Sequence, residues 1–183
     1  ASGGARQPPA PARRRRDQLG RYSLAHRESK QSEWKVITTN ITTYLHAAAV
    51  AGHCEADLFM FQELLRGHEQ HDSMVARANS QLCHARVNPS VRTALGGLSA
   101  GTALWSRWAC GLENVPAIDR LAPPCPERFV YALWGGLLHT GIIVASVYLY
   151  DDSGLSQRNR DLLHAIGLFL RAIGKPFLIG ADW

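Results

Sequence analysis

Apolar positions along the chain fall into short continuous runs separated by polar, glycine-rich and proline-rich segments, with one long stretch at helical spacing. "WKVITTN" (Trp34 to Asn40) is rich in β-branched residues and predicts a strand. "ITTYLHAAAVAGH" follows, with Thr42 or Thr43 as N-cap, an alanine-rich interior and Gly52 as a stop, the pattern of a helix. In "EADLFMFQE" the run Leu58 to Phe61 is unbroken and ends in a polar pair, which suits a strand buried on both faces. "LSAGTALWSR" (Leu98 to Arg107), "RFVYALWG" (Arg128 to Gly135) and "GIIVASVYLY" (Gly141 to Tyr150) predict three further strands, with the proline-rich "LAPPCPE" as a loop.

The long helical pattern is "SQRNRDLLHAIGLFLRAIG". Ser156 can cap it, and Leu162, Leu163, Ile166, Phe169, Leu170 and Ile173 define one apolar face. Gly174 and Pro176 end it, and Arg158, Arg160 and Arg171 lie on the other face. The last residues, "PFLIGADW", predict a short central strand, Phe177 to Ile179, whose end presents the carboxylate of Asp182. A central strand needs neighbours, so the expectation is that further chain follows it. Strands and helices alternate early and strands then succeed one another, which predicts an α+β fold with a mixed sheet or a pair of sheets flanked by helices. The G-x-G-x-x-G and G-x-x-x-x-G-K-[ST] phosphate loops are absent, which removes the commonest nucleotide-binding readings.

Charge divides the chain. Residues 1 to 30 carry eight Lys/Arg and two Asp/Glu, whereas the remaining residues carry twelve and thirteen, so the net charge of +5 comes from the start of the chain. "ASGGARQPPAPARRRR", with Arg13, Arg14, Arg15 and Arg16 in a row, cannot bury enough apolar surface to offset its ordering entropy. Residues 1–31 are therefore expected to be a disordered basic tail, either an arm for nucleic-acid phosphates or nuclear targeting or a solvated linker, with 32–183 as the globular part. The tail has no apolar run of the length a signal peptide or membrane span needs, so an intracellular protein, nuclear or cytoplasmic, is expected. Without a secretory route the "NIT" triplet at Asn40 carries no glycosylation meaning. Cys54, Cys83, Cys110 and Cys125 form no C-x-x-C pair and are expected to be reduced and mostly buried.

Three polar residues stand where apolar strands end: Asn40, Glu63 and Asp182. Taken singly each fits a cap or a turn. Brought to one rim of a sheet, an amide and two carboxylates make an oxygen-rich nest suited to Mg²⁺ or Mn²⁺. "HEQH" (His68 to His71) is one residue short of the zinc-protease H-E-x-x-H and predicts a solvated helix or loop, while His139 and His164 look like ordinary interface residues.

The succession "WKVITTN", "ADLFMFQE", "GTALWSR", "IIVASVYLYDDSG" and "GKPFLIGADW" resembles the successive blocks of the endonuclease/exonuclease/phosphatase superfamily, the DNase I-like metal-dependent phosphodiesterases. The resemblance runs from Trp34 to Trp183. It implies a partial four-layer α/β/β/α sandwich with its C-terminal part missing, and Mg²⁺- or Mn²⁺-dependent phosphodiester hydrolysis, most simply by a nucleic-acid endonuclease of retroelement type. It also implies that Glu63 and Asn40 serve the metal, that a buried Asp182 orients the attacking water and the phosphate, and that Tyr148 lies near the scissile phosphate. Ala181 between Gly180 and Asp182 departs from the family's G-D-x-N block. The family's asparagine and its later aspartate-histidine pair would lie beyond Trp183, so the 183-residue chain is expected to be inactive and poorly soluble by itself. Two alternatives remain open: a non-catalytic binding domain that keeps the fold, and a phosphoinositide or sphingomyelin phosphodiesterase of the same superfamily.

Overall fold

The computed structural model describes residues 33–115, 122–135, 140–151 and 154–182. The basic tail with Arg13 to Arg16, and His139, lie outside the described residues. The chain divides into Ala1–Glu33 and Trp34–Trp183, and every element below belongs to the second unit.

The fold is mixed α+β. Strand β1 (Val36–Asn40) leads into helix α1 (Leu45–His53) and strand β2 (Leu58–Gln62). A 3₁₀ turn (His68–Gln70) opens helix α2 (His71–Ser80), followed by β3 (Cys83–Asn88) and the short pair β4 (Val91–Arg92) and β5 (Leu98–Ser99). Strands β6 (Thr102–Arg107), β7 (Phe129–Trp134) and β8 (Ile142–Tyr148) precede helix α3 (Gln157–Ile173) and strand β9 (Phe177–Asp182).

One sheet has the order β1-β2-β6-β3, with β1 and β2 parallel and β6 antiparallel to both β2 and β3. A second has the order β7-β8-β9, with β7 antiparallel and β9 parallel to β8. Side chains alternate along β2, so Phe59 and Phe61 join a core with Tyr44 and Ala47 near α1 and Met74 and Ala78 of α2, while Leu58 and Met60 join Val130, Trp134 and Val144 of the second sheet. On the far face of that sheet, Phe129, Ile143 and Val147 pack with Leu162, Ile166, Phe169 and Leu170 of α3. Period-2 alternation in strands placed between two apolar neighbours explains why β2 is buried along its whole length.

Polar contacts stitch the two sheets together. Gln62 Nε2 donates to Ser146 Oγ at 2.7 Å, Ser146 Oγ donates to the Phe61 carbonyl at 2.9 Å, and Trp134 Nε1 donates to Ser106 Oγ at 2.9 Å. Gly180 allows the closest approach: a Cβ there would lie 2.5 Å from Met60 Sδ and 2.6 Å from Thr38 Oγ1.

Several sequence expectations need correction. The α1 N-cap is Tyr44, with no side-chain cap bond, because Thr42 adopts φ 50° and is used in a turn instead; Gly52 lies inside the helix. The single strand expected over Leu98 to Arg107 is broken at Ala100 and Gly101, whose φ values of 65° and 90° turn the chain between β5 and β6. Among the described residues β9 pairs with β8, and Phe177 and Leu178 are exposed. Of the four cysteines, all free, Cys83 is fully buried and the other three are half-buried. The α3 pattern matches the structure closely, with Ser156 Oγ accepting from the Asn159 N–H at 3.3 Å and Gly174 in the left-handed conformation at φ 68°. No helix among the described residues is long and apolar enough to cross a membrane.

Candidate active site

Asn40, Glu63 and Asp182 stand at or just beyond the C-terminal ends of β1, β2 and β9. Parallel pairing sets Asn40 opposite Gln62, which places Glu63 one residue past that register; on the second sheet the same kind of pairing sets Tyr148 opposite Asp182. The face-to-face packing of the sheets then joins the two ends. Asn40 Nδ2 donates to Asp182 Oδ2 at 2.8 Å across 142 residues of sequence.

The amide of Asn40 is oriented from its other side, since its Oδ1 accepts the Thr42 N–H at 3.0 Å in an Asx-type turn. Its amide nitrogen therefore faces Asp182. Glu63 has a different environment. It is half-buried, its backbone sits at φ 58°, and among the described residues its carboxylate accepts no hydrogen bond. Thr42, Glu63 and Leu65 all have left-handed backbone conformations at these strand ends, a concentration of locally unfavourable geometry that the surrounding sheet must hold in place. The loop bonds do so: Ile41 N–H donates to the Gln62 carbonyl, Tyr44 N–H to Leu64, and Leu64 N–H to Gly101.

Tyr148 lies at the same end. Burial pushes its phenol above the ordinary value of 10.0; the negative charges of Glu63, Asp151 and Asp182 act in the same direction, and Arg128 opposes them. Asp182 is exposed at the end of β9. Tyr148 and Asp182 line a cavity of about 420 Å³ together with Tyr150, Asp151, Gly154 and Asn159.

Sequence reading did not single out two buried polar residues at this end, Asn159 and Arg128. Asn159, in the first turn of α3, is fully buried: its Oδ1 accepts the Tyr150 N–H at 2.7 Å and its Nδ2 donates to the Tyr150 carbonyl at 3.0 Å. It ties the start of α3 to the chain leaving β8. The one available signal was an asparagine set among charged residues in "SQRNRD" at a helix start. Arg128 is buried too, with Nη1 donating to the Leu149 carbonyl at 2.9 Å and its guanidinium over the rings of Tyr148 and Tyr150.

Glu63 and Asp182 offer carboxylate oxygens of the kind a hard divalent cation takes, while Asn40 turns its Nδ2 to Asp182 and its Oδ1 to the Thr42 N–H. Among the described residues no three His, Cys, Asp or Glu side chains gather into a cluster that could hold a metal ion, and Asp182 is engaged by Asn40.

No protein-family model matches the chain, and no curated protein sequence does. Among solved structures, the crystal structure of an AP endonuclease from Leishmania major matches 88% of this chain with a TM-score of 0.50 and 13% sequence identity. The match covers 65% of that endonuclease's chain, so this chain spans about two-thirds of its length. At 13% identity the likeness is one of fold: this chain has a mixed α+β fold similar to that of an AP endonuclease.

Proposed function

We propose that this chain contributes to a divalent-metal-dependent phosphodiesterase with a DNase I-like α/β/β/α sandwich, acting on nucleic acid as an endonuclease. The observation that carries the reading is the Asn40–Asp182 hydrogen bond at the strand ends, beside Glu63 and Tyr148. The fold likeness to an AP endonuclease supports it.

In this reading Glu63, assisted by Asn40, would hold Mg²⁺ or Mn²⁺, which supplies neutralisation of charge developing on the phosphoryl oxygens and the leaving group. Asn40 aims the Asp182 carboxylate by donating to one oxygen, leaving the other to orient or deprotonate the attacking water. Tyr148, kept protonated by burial and by the neighbouring carboxylates, donates its O–H to a phosphate oxygen. The basic segment Arg13 to Arg16 adds sequence-independent attraction to phosphates.

The test is cleavage of a duplex oligonucleotide by the full-length protein in Mg²⁺ or Mn²⁺. Glu63→Gln is expected to lower the rate by at least about a hundredfold. Cleavage by Glu63→Gln at the unmodified rate overturns the assignment.

A further inference from the structure

The two sheets face each other across a layer of apolar side chains, Leu58, Met60 and Leu104 from the first and Val130, Ala132 and Val144 from the second. Apolar contacts are non-directional, so they fix the separation of the sheets better than their in-plane alignment. Directional bonds cross the layer at each end. Trp134 Nε1 donates to Ser106 Oγ where β2 and β8 begin, since Ser106 pairs with Leu58 and Trp134 with Ile142. Gln62 Nε2 donates to Ser146 Oγ near where they end, about 13 Å further along β2.

The second crossing lies under the candidate site. Gln62 immediately precedes Glu63 and stands opposite Asn40; Ser146 stands opposite Gly180, with Tyr148 and Asp182 paired further along the same register. The Gln62 amide also reaches Thr38 Oγ1 on β1 at 3.2 Å, and a Cβ on Gly180 would lie 2.6 Å from that same oxygen. Ser146 Oγ passes its own proton to the Phe61 carbonyl at 2.9 Å, which closes the link back onto β2. Strands β1, β2, β8 and β9 therefore meet around one fully buried amide, directly below Asn40, Glu63, Tyr148 and Asp182.

Packing does not account for a glutamine here. Its side chain is fully buried, and its Oε1 has no hydrogen-bond partner among the described residues. A buried acceptor left unsatisfied is unfavourable, and an apolar side chain of similar length would avoid that cost. What an apolar side chain cannot supply is the directional bond to Ser146.

We propose that Gln62 and Ser146 are positioning residues, whose buried link sets the alignment of the two sheets at the rim and so holds Asn40 against Asp182. They act through the strand ends rather than on a substrate. The consequence for cleavage rests on the phosphodiesterase reading, whereas the positioning of Asn40 does not.

The experiment is ¹H–¹⁵N NMR of the Asn40 side-chain amide in the full-length protein without metal, with Asp182→Ala as the reference for a broken Asn40–Asp182 bond. In the double variant Gln62→Met with Ser146→Ala, the Asn40 resonance is expected to move most of the way to its position in Asp182→Ala. In Ser106→Ala, which cuts the other crossing, it should stay where it is in the unmodified protein. Should the double variant fail to fold, Ser146→Ala alone removes one hydroxyl and carries the same expectation. An Asn40 resonance unmoved by loss of the link overturns the proposal, and so does an equal shift in Ser106→Ala, which would mark general loosening of the layer. Cleavage of a duplex oligonucleotide in Mg²⁺ supplies the second readout. The double variant should lose about ten- to a hundredfold in kcat with KM little changed, while Ser106→Ala keeps the unmodified kcat. Unchanged kcat in a variant whose Asn40 resonance has shifted overturns the consequence for cleavage. A shifted Asn40 resonance alongside full cleavage by Glu63→Gln removes the metal-site assignment and keeps the positioning.

Discussion

Strands β2 and β9 share a local pattern, an apolar run that ends at an acidic residue, yet they occupy opposite kinds of position. β2 lies between β1 and β6, with all five residues buried, whereas β9 pairs with β8 and exposes Phe177 and Leu178 by 46% and 39%. The acids differ in the same way. Glu63 is half-buried, in a left-handed backbone conformation and without a hydrogen-bond partner among the described residues; Asp182 is exposed, in extended backbone, and held by Asn40. A rigid central strand can hold a carboxylate in a locally unfavourable conformation because its neighbours over-determine the backbone. At the end of β9 the carboxylate of Asp182 is held instead by a side-chain partner from the other sheet.

The largest expected effect tests the contrast in burial. Phe61→Ala removes a ring stacked with Phe59 and set edge-on to Trp105, and should destabilise the fold by about 3–5 kcal/mol, whereas Leu178→Ala should cost less than about 1 kcal/mol. Urea denaturation of the two variants measures both, and similar losses would break the comparison. Next is the crossing between the strands. Gly180→Ala puts a methyl group 2.5 Å from Met60 Sδ and 2.9 Å from Thr38 Cβ, and should destabilise by about 1–3 kcal/mol by overpacking. A neutral effect in the same assay would mean that the sheets can part here.

The smallest effect has the opposite sign. An L-residue in the left-handed region costs about 1–2 kcal/mol, and glycine returns part of that gain through its freer unfolded chain. Glu63→Gly should therefore stabilise the fold by about 0.5–1 kcal/mol while removing the carboxylate the proposed chemistry needs. A stability gain together with lost cleavage marks Glu63 as retained for function at a cost to the fold. A stability loss would assign it a packing role instead.

The legibility of the chain varied with how local each signal was. Helix α3 could be read directly, because its cap, apolar face and terminating glycine all lie within twenty residues. Helix α2 and strand β3 carried no comparable pattern. "HDSMVARANS" buries Met74 and Ala78 alone, and "CHARVN" alternates too weakly to signal a strand, so both depend on packing against residues far away in sequence. The break between β5 and β6 escaped for a related reason: Ala100 takes a left-handed conformation that its residue type does not announce. At the site, Asn40, Glu63 and Asp182 could be picked out as residues that end apolar runs, and Tyr148 through the family resemblance. Arg128, Tyr150 and Asn159 could not, since an arginine, a tyrosine and an asparagine acquire meaning only from what they touch.

By itself the sequence determined strands β1, β2, β7 and β8, where the long helix begins and ends, and which polar residues terminate apolar runs, because these are consequences of spacing and side-chain shape within a few residues. The tertiary structure decided that Asp182 is bonded to Asn40, that Glu63 has a left-handed backbone, and that two arginines share one tyrosine ring. Each of those is set by contacts between segments far apart in the chain, where close packing of two sheets fixes distances that no local pattern encodes.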